Sequence, residues 1–177
     1  MKSSFGLSAL IGLTLSFNAY AGGNPEFVKF PEQYKQIFTQ YDTANRANQT
    51  QLAKFYANEI AVESYKKGEE AAPGSIVVME IYAPKKDAED KIQSGEDGLF
   101  VIDKLAAVAV MEKRNDWDSA FKAEDRSGNW GFALYDPEGK AKDNELTCAQ
   151  CHNPLQGQDN LFTFQKLVDY VKGTEKQ

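Results

Sequence analysis

Apolar residues along this chain follow a helical period at both ends and a strand period in the middle. Tyr34, Ile37, Phe38 and Tyr41 recur at helical spacing behind Pro31, which suits a first turn, so Phe27 to Tyr41 is predicted as a helix. Asp42 to Gln51 is polar and reads as a loop, and Phe55 to Val62 reads as a strand. Ser75 to Tyr82 is the clearest strand, rich in β-branched residues and opened by Pro73-Gly74. A charged stretch, Lys85 to Gly98, ends in a Gly-Glu-Asp-Gly turn, after which Leu99 to Met111 returns as a long strand. Trp130 to Tyr135 forms another, stopped by Asp136-Pro137 and Gly139. Near the end, Leu161, Phe164, Leu167, Val168 and Val171 make one apolar stripe of a helix that Asp159 or Asn160 could cap. Strands in the middle with helices closing the ends predict an α+β fold.

No repeat and no low-complexity linker divides the chain. Its first residues stand apart. Lys2 supplies a short basic region, Phe5 to Phe17 an apolar run, and Ala19-Tyr20-Ala21 fits the small-residue rule for cleavage. Residues 1–21 are therefore expected to be a signal peptide, leaving residues 22–177 as a single domain. The apolar run is too short to span a bilayer comfortably and no stop-transfer segment follows it, so export to the periplasm without a membrane anchor is expected. The formal net charge is −6, and loss of Lys2 makes it one unit more negative. No basic run offers a face to nucleic acid or to an anionic membrane, so neither is an expected partner.

Cys148-Ala149-Gln150-Cys151-His152 has the form of a c-type haem attachment sequence. Two thiols at this spacing can add across the two vinyl groups of haem as thioethers, and the next residue sets its imidazole under the iron. Haem c, one per chain and covalent, is the expected cofactor, with Cys148 and Cys151 as attachment points and His152 as the proximal iron ligand. A structural disulfide would suit an oxidising compartment. A redox-active pair of thioredoxin type, however, opens a helix early in its domain beside a βαβ unit, whereas this motif lies late and behind a polar stretch. A structural zinc needs four ligands, and two cysteines with one histidine fall one short. Because His152 is the only histidine, bis-histidine ligation is excluded, and the sixth position must be open, held by methionine or lysine, or taken by a small ligand. After signal cleavage the methionines are Met79 and Met111.

A strand-rich body followed by a late attachment motif resembles the cytochrome P-460 family, which includes the cytochromes c′-beta. The match is carried by Ser64-Tyr65-Lys66-Lys67-Gly68-Glu69, the strand Ser75 to Ile81, Gly128-Asn129-Trp130-Gly131-Phe132, the haem motif, and Asp159-Asn160-Leu161-Phe162-Thr163. It runs from about Phe30 to Val171. The resemblance implies an antiparallel β-sheet core with flanking helices, haem attached near the C-terminus, a hindered distal side and a homodimer. It also implies one of two chemistries. Members of P-460 type carry a lysine–haem crosslink and oxidise hydroxylamine; the c′-beta type lack the crosslink and bind nitric oxide or carbon monoxide at five-coordinate iron. Aligned without gaps from Gly74, the crosslinking lysine falls on Met79, while Lys66 and Lys67 match a surface turn. The distal arginine falls near Ala53 or Lys54, and the distal glutamate near Ala107 or Val108, so proton handling for hydroxylamine is poorly provided.

Strand alternation puts Val77, Met79 and Ile81 on one face and Ile76, Val78 and Glu80 on the other. By the family geometry Met79 is a haem-pocket residue, either ligating iron or packing against the ring. Met111 shares a face with Ala107 and Ala109, and Gly131 shares one with Ala133; either set of small residues would let a flat macrocycle approach the sheet. Trp117, Trp130, Phe132 and Tyr135 read first as core, and one or more phenylalanines would cap the distal side. The expectation is a c′-beta-type cytochrome that binds diatomic gas or transfers electrons with a redox partner protein. The alternatives are an enzyme of P-460 type acting on hydroxylamine, which the sequence leans away from, and an electron carrier ligated by His152 and a methionine.

Overall fold

The computed structural model describes residues 23–142 and 147–174. Its frame is a five-stranded antiparallel sheet in which spatial order follows chain order. The strands are β1 (Thr39–Asn45), β2 (Leu52–Ala57), β3 (Ile76–Pro84), β4 (Ile102–Lys113) and β5 (Trp130–Tyr135). Each strand pairs with its neighbour in sequence, so closure costs stay low and no crossover is needed. The long β3–β4 ladder forms the centre, where β-branched residues suit a pleated surface buried on both sides. Helices α1 (Tyr34–Ile37), α2 (Glu59–Lys66), α3 (Cys148–His152) and α4 (Phe164–Thr174) surround it.

The two faces of the sheet carry separate cores. On the front, Ala57, Val77, Met111, Trp130 and Phe132 pack with Tyr65 of α2, Ala149 of α3, and Leu167 and Val171 of α4. Leu167 and Val171 have no exposed surface, so each anchors α4 by roughly 1.5–3 kcal/mol of apolar burial. On the back, Tyr56, Val78, Val108, Val110, Ala133 and Tyr135 pack against Val28, Tyr34 and Phe121.

The first predicted helix is mostly turns and bends, and its last residues are strand. Only Tyr34–Ile37 is helical; Phe38 is extended, and Tyr41, counted in the helical stripe, belongs to β1. So short a helix is marginal alone, and pairing with β2 gives the following backbone a complete ladder instead. The register shifts between Gln40 and Asp42, which marks a bulge at the sheet edge. The strand predicted over Phe55 to Val62 divides at Asn58. Its Oδ1 accepts N–H bonds from Ala61 and Ile76 while its Nδ2 donates to the Gly74 carbonyl, so it caps α2 and ties that helix to β3. The four later elements appear as expected, with ends displaced by a few residues at β4 and α4. Asp159 and Asn160 do not cap α4, which begins at Phe164; both adopt left-handed backbone, with φ of +48° and +56°.

Gly131 and Ala133 lie on the back face, away from α3. A methyl group at Gly131 would meet Phe121, Val28 and Trp117 at 2.8–2.9 Å, so this glycine admits core side chains rather than a macrocycle. The predicted signal segment and its cleavage site lie outside the described residues, among which no helix is long and apolar enough to cross a membrane.

Candidate functional site

One helical turn brings the three motif residues together. In α3, Cys148 and Cys151 stand three residues apart and His152 four from Cys148, so all three side chains emerge from one side of the helix. The cysteines are not joined in a disulfide; Cys148 is half-buried and Cys151 exposed. Burial, and then the proximity of Cys151, push the Cys148 thiol above its ordinary pKa, which keeps it protonated. α3 is fixed from beneath by Ser127, whose buried hydroxyl donates to the Ala149 carbonyl at 3.1 Å.

The imidazole is held from its far side. His152 Nδ1 lies 2.7 Å from the carbonyl oxygen of Asn160, and only an Nδ1–H can make that bond. This fixes the tautomer and leaves the Nε2 lone pair as the ligating group, the arrangement expected of a metal-bound histidine. Burial lowers the His152 pKa, partly offset by the Asn160 carbonyl, so the ring is neutral at pH 7. Phe132 and Phe162 flank it, with ring centroids 4.7 and 4.8 Å away. Phe162 is 64% exposed, an uncovered aromatic beside the motif.

Asp159 explains the position of that carbonyl. Its carboxylate is buried and collects four donors: the Tyr65 hydroxyl at 2.8 Å, the Ala71 N–H at 2.8 Å, Lys113 Nζ at 2.6 Å and Trp130 Nε1 at 3.1 Å. These come from α2, the loop after it, β4 and β5. Four parts of the fold therefore hold the residue next to Asn160, and the two consecutive left-handed residues aim the carbonyl at His152. Burial and the Asp159 charge raise the Tyr65 pKa, so its hydroxyl stays protonated as a donor. Trp130, expected as structural, does this work from a fully buried position.

The front face of the sheet supplies the adjoining wall. Phe55, Met79, Ala109 and Leu134 stand opposite one another across β2, β3, β4 and β5, each half-buried. Met79 follows the alternation read from sequence: Val77 is in the front core and Val78 in the back core. Met79 and the His152-bearing turn thus share one side of the sheet. Met111 and Ala107 are buried on that side as well. Among the phenylalanines, Phe55, Phe132 and Phe164 belong to the core on this side, and Phe162 lies beside His152.

Lysines are arranged elsewhere. Lys54 reaches over the Tyr82 ring, 5.5 Å from its centroid, among the side chains of the back face. Lys66 pairs with Glu63 at the exposed end of α2, and Lys67 is exposed beside it. Lys113 faces the front but is committed to Asp159. Of the residues aligned with the distal arginine and glutamate, Ala53, Ala107 and Val108 are buried and apolar, and Lys54 is the one over the Tyr82 ring.

Sequence reasoning did not find the Asp159 assembly. Lys113 closing an apolar strand was its one visible signal; the partners are 46 and 94 residues apart along the chain. The donor set nevertheless fits haem: two thiols on one turn, an imidazole with its tautomer fixed, and a half-buried apolar wall on the same side of the sheet. Cys148, Cys151 and His152 would hold the group. Among the described residues no three His, Cys, Asp or Glu side chains, those of the motif included, are grouped so as to hold a bare metal ion.

A search of curated proteins returned no match. The Cytochrome P460 family profile, however, matches residues 31–163, which takes in the whole sheet, the haem-type motif and the Asp159-Asn160 turn. With three quarters of its length covered by that match, the chain belongs to the cytochrome P460 family.

Proposed function

We propose that this chain is a periplasmic monohaem c-type cytochrome of c′-beta type, binding nitric oxide or carbon monoxide and exchanging single electrons. Haem c would be bonded through Cys148 and Cys151 and ligated by His152. The carrying observation is the His152 Nδ1 contact with the Asn160 carbonyl, beside two thiols and an apolar sheet face. When bound, haem supplies an iron that changes by one electron and can accept a small axial ligand. The chain's own part is to anchor the ring, fix the imidazole and exclude water. Phe55, Met79, Ala109 and Leu134 present no proton donor or acid to the front face, which suits a neutral diatomic better than a substrate that must be deprotonated. The positions of Lys54, Lys66 and Lys113 support a haem without a lysine crosslink. The reading carries with it export by the signal peptide and the homodimer that the family resemblance implies.

The test is an absorption and EPR spectrum of the purified ferric protein, followed by carbon monoxide titration of the ferrous form. Five-coordinate high-spin iron that takes up carbon monoxide is expected. A low-spin ferric spectrum with a thioether charge-transfer band would replace this reading with a His152/Met79 electron carrier. Sustained turnover of hydroxylamine would replace it with the enzyme.

A further inference from the structure

We infer that Asp159 is a positioning residue for the iron ligand: it sets the strength of the His152 Nδ1–H bond by clamping the turn that carries the Asn160 carbonyl. The inference rests on His152 being the ligand, as proposed above.

Three features support this role over a purely structural one. Asp159 is buried yet accepts four hydrogen bonds, more than is needed to end a helix. Its neighbour Asn160 is also in left-handed backbone, which Asn and Asp adopt more readily than other non-glycine residues, so the carbonyl is set in a tight turn directly after the clamped residue. Finally, the Asn160 carbonyl has its 2.7 Å contact with His152, so displacement of the clamp is felt first at the imidazole. Lys113 balances the carboxylate charge at 2.6 Å and lies 5.6 Å over the Trp130 ring, which locks the pair in place. The effect on the ligand follows from acid–base chemistry. A firm carbonyl acceptor makes the imidazole more basic, which strengthens its bond to iron and favours the ferric state. A loosened carbonyl does the reverse.

The experiment compares wild type, Tyr65→Phe and Asp159→Asn as haem-loaded proteins. It reads the iron–histidine stretching frequency of the ferrous form by resonance Raman and the midpoint potential by titration. Tyr65→Phe is the deciding variant, because it removes one donor to Asp159 and no charge. The inference expects the frequency to fall and the potential to rise in Tyr65→Phe, and both to move further in Asp159→Asn. If both variants keep the wild-type frequency and potential, Asp159 merely supports the fold and the inference is wrong. If Asp159→Asn does not fold, Tyr65→Phe alone decides. A wild-type protein without an iron–histidine band would remove the functional reading itself, an outcome distinct from unchanged variants.

Discussion

Glu80 offers the most quantitative test of how β3 separates its two faces. It follows Met79 in sequence, points to the back of the sheet and has no exposed surface. Its carboxylate accepts bonds from Tyr34 at 2.8 Å, Tyr56 at 2.9 Å and Tyr82 at 2.7 Å, and pairs with Lys35 at 2.8 Å. Burial alone would raise its pKa, but the bonds from Lys35 and the three phenols together lower it below the usual carboxylate value. Glu80→Gln keeps the volume and removes the charge. A hydrogen bond to a charged group contributes about 1 kcal/mol more than a neutral one, and three phenol bonds are affected. The Lys35 pair, whose lysine side chain is 52% exposed, adds little. Relief from desolvating a charge offsets part of the loss, so a net destabilisation of about 1–3 kcal/mol is expected at pH 7. The pH dependence has a definite sign. Because the folded pKa lies below the unfolded value of about 4.3, the contribution is complete above that value and fades as pH falls through the folded pKa. Denaturant unfolding of both proteins should therefore give a gap that is widest at neutral pH and narrows in acid, with the haem spectrum unchanged. A gap that does not vary with pH, or one that widens in acid, would refute the charge argument.

Further expectations follow from the same geometry. Met79→Leu should leave the absorption spectrum almost unchanged and cost less than about 1.5 kcal/mol in unfolding experiments; conversion from low to high spin would show that sulfur ligates iron. Gly131→Ala should destabilise by about 1–3 kcal/mol, because its methyl would meet Phe121 and Val28 at 2.8 Å, and an unaltered haem spectrum would confirm that this glycine faces away from the site. Haem peptides from a protease digest should show two thioether links and no third bond, and a lysine attached to the macrocycle would restore the hydroxylamine-oxidising reading.

The central strands were legible because their signals are local. A β-branched run opened by Pro-Gly predicted β3, and an aromatic-rich run stopped by Asp-Pro predicted β5, both almost to their ends, and alternation along β3 placed Met79 and Glu80 on opposite faces as the fold has them. The N-terminal third was misread where a helical spacing of aromatics spanned a helix end and an edge strand, a choice settled only by pairing with β2. α2 was missed although Asn58 is a normal capping residue, because the flanking apolar residues suit either period. In the site, Cys148, Cys151 and His152 are adjacent in sequence and could be read together. Asp159 could not, since its partners converge only through folding; nor could the direction of Gly131, which is decided by which core fills the back of β5.

Haem attachment itself is tested most directly by the mass of the intact, denatured, exported protein after acid-acetone extraction. The expected mass is that of the chain from residue 22 plus one haem, with the haem absent from the Cys148→Ala/Cys151→Ala variant. A wild-type chain at its bare mass, with all of the haem recovered in the extract, would contradict it.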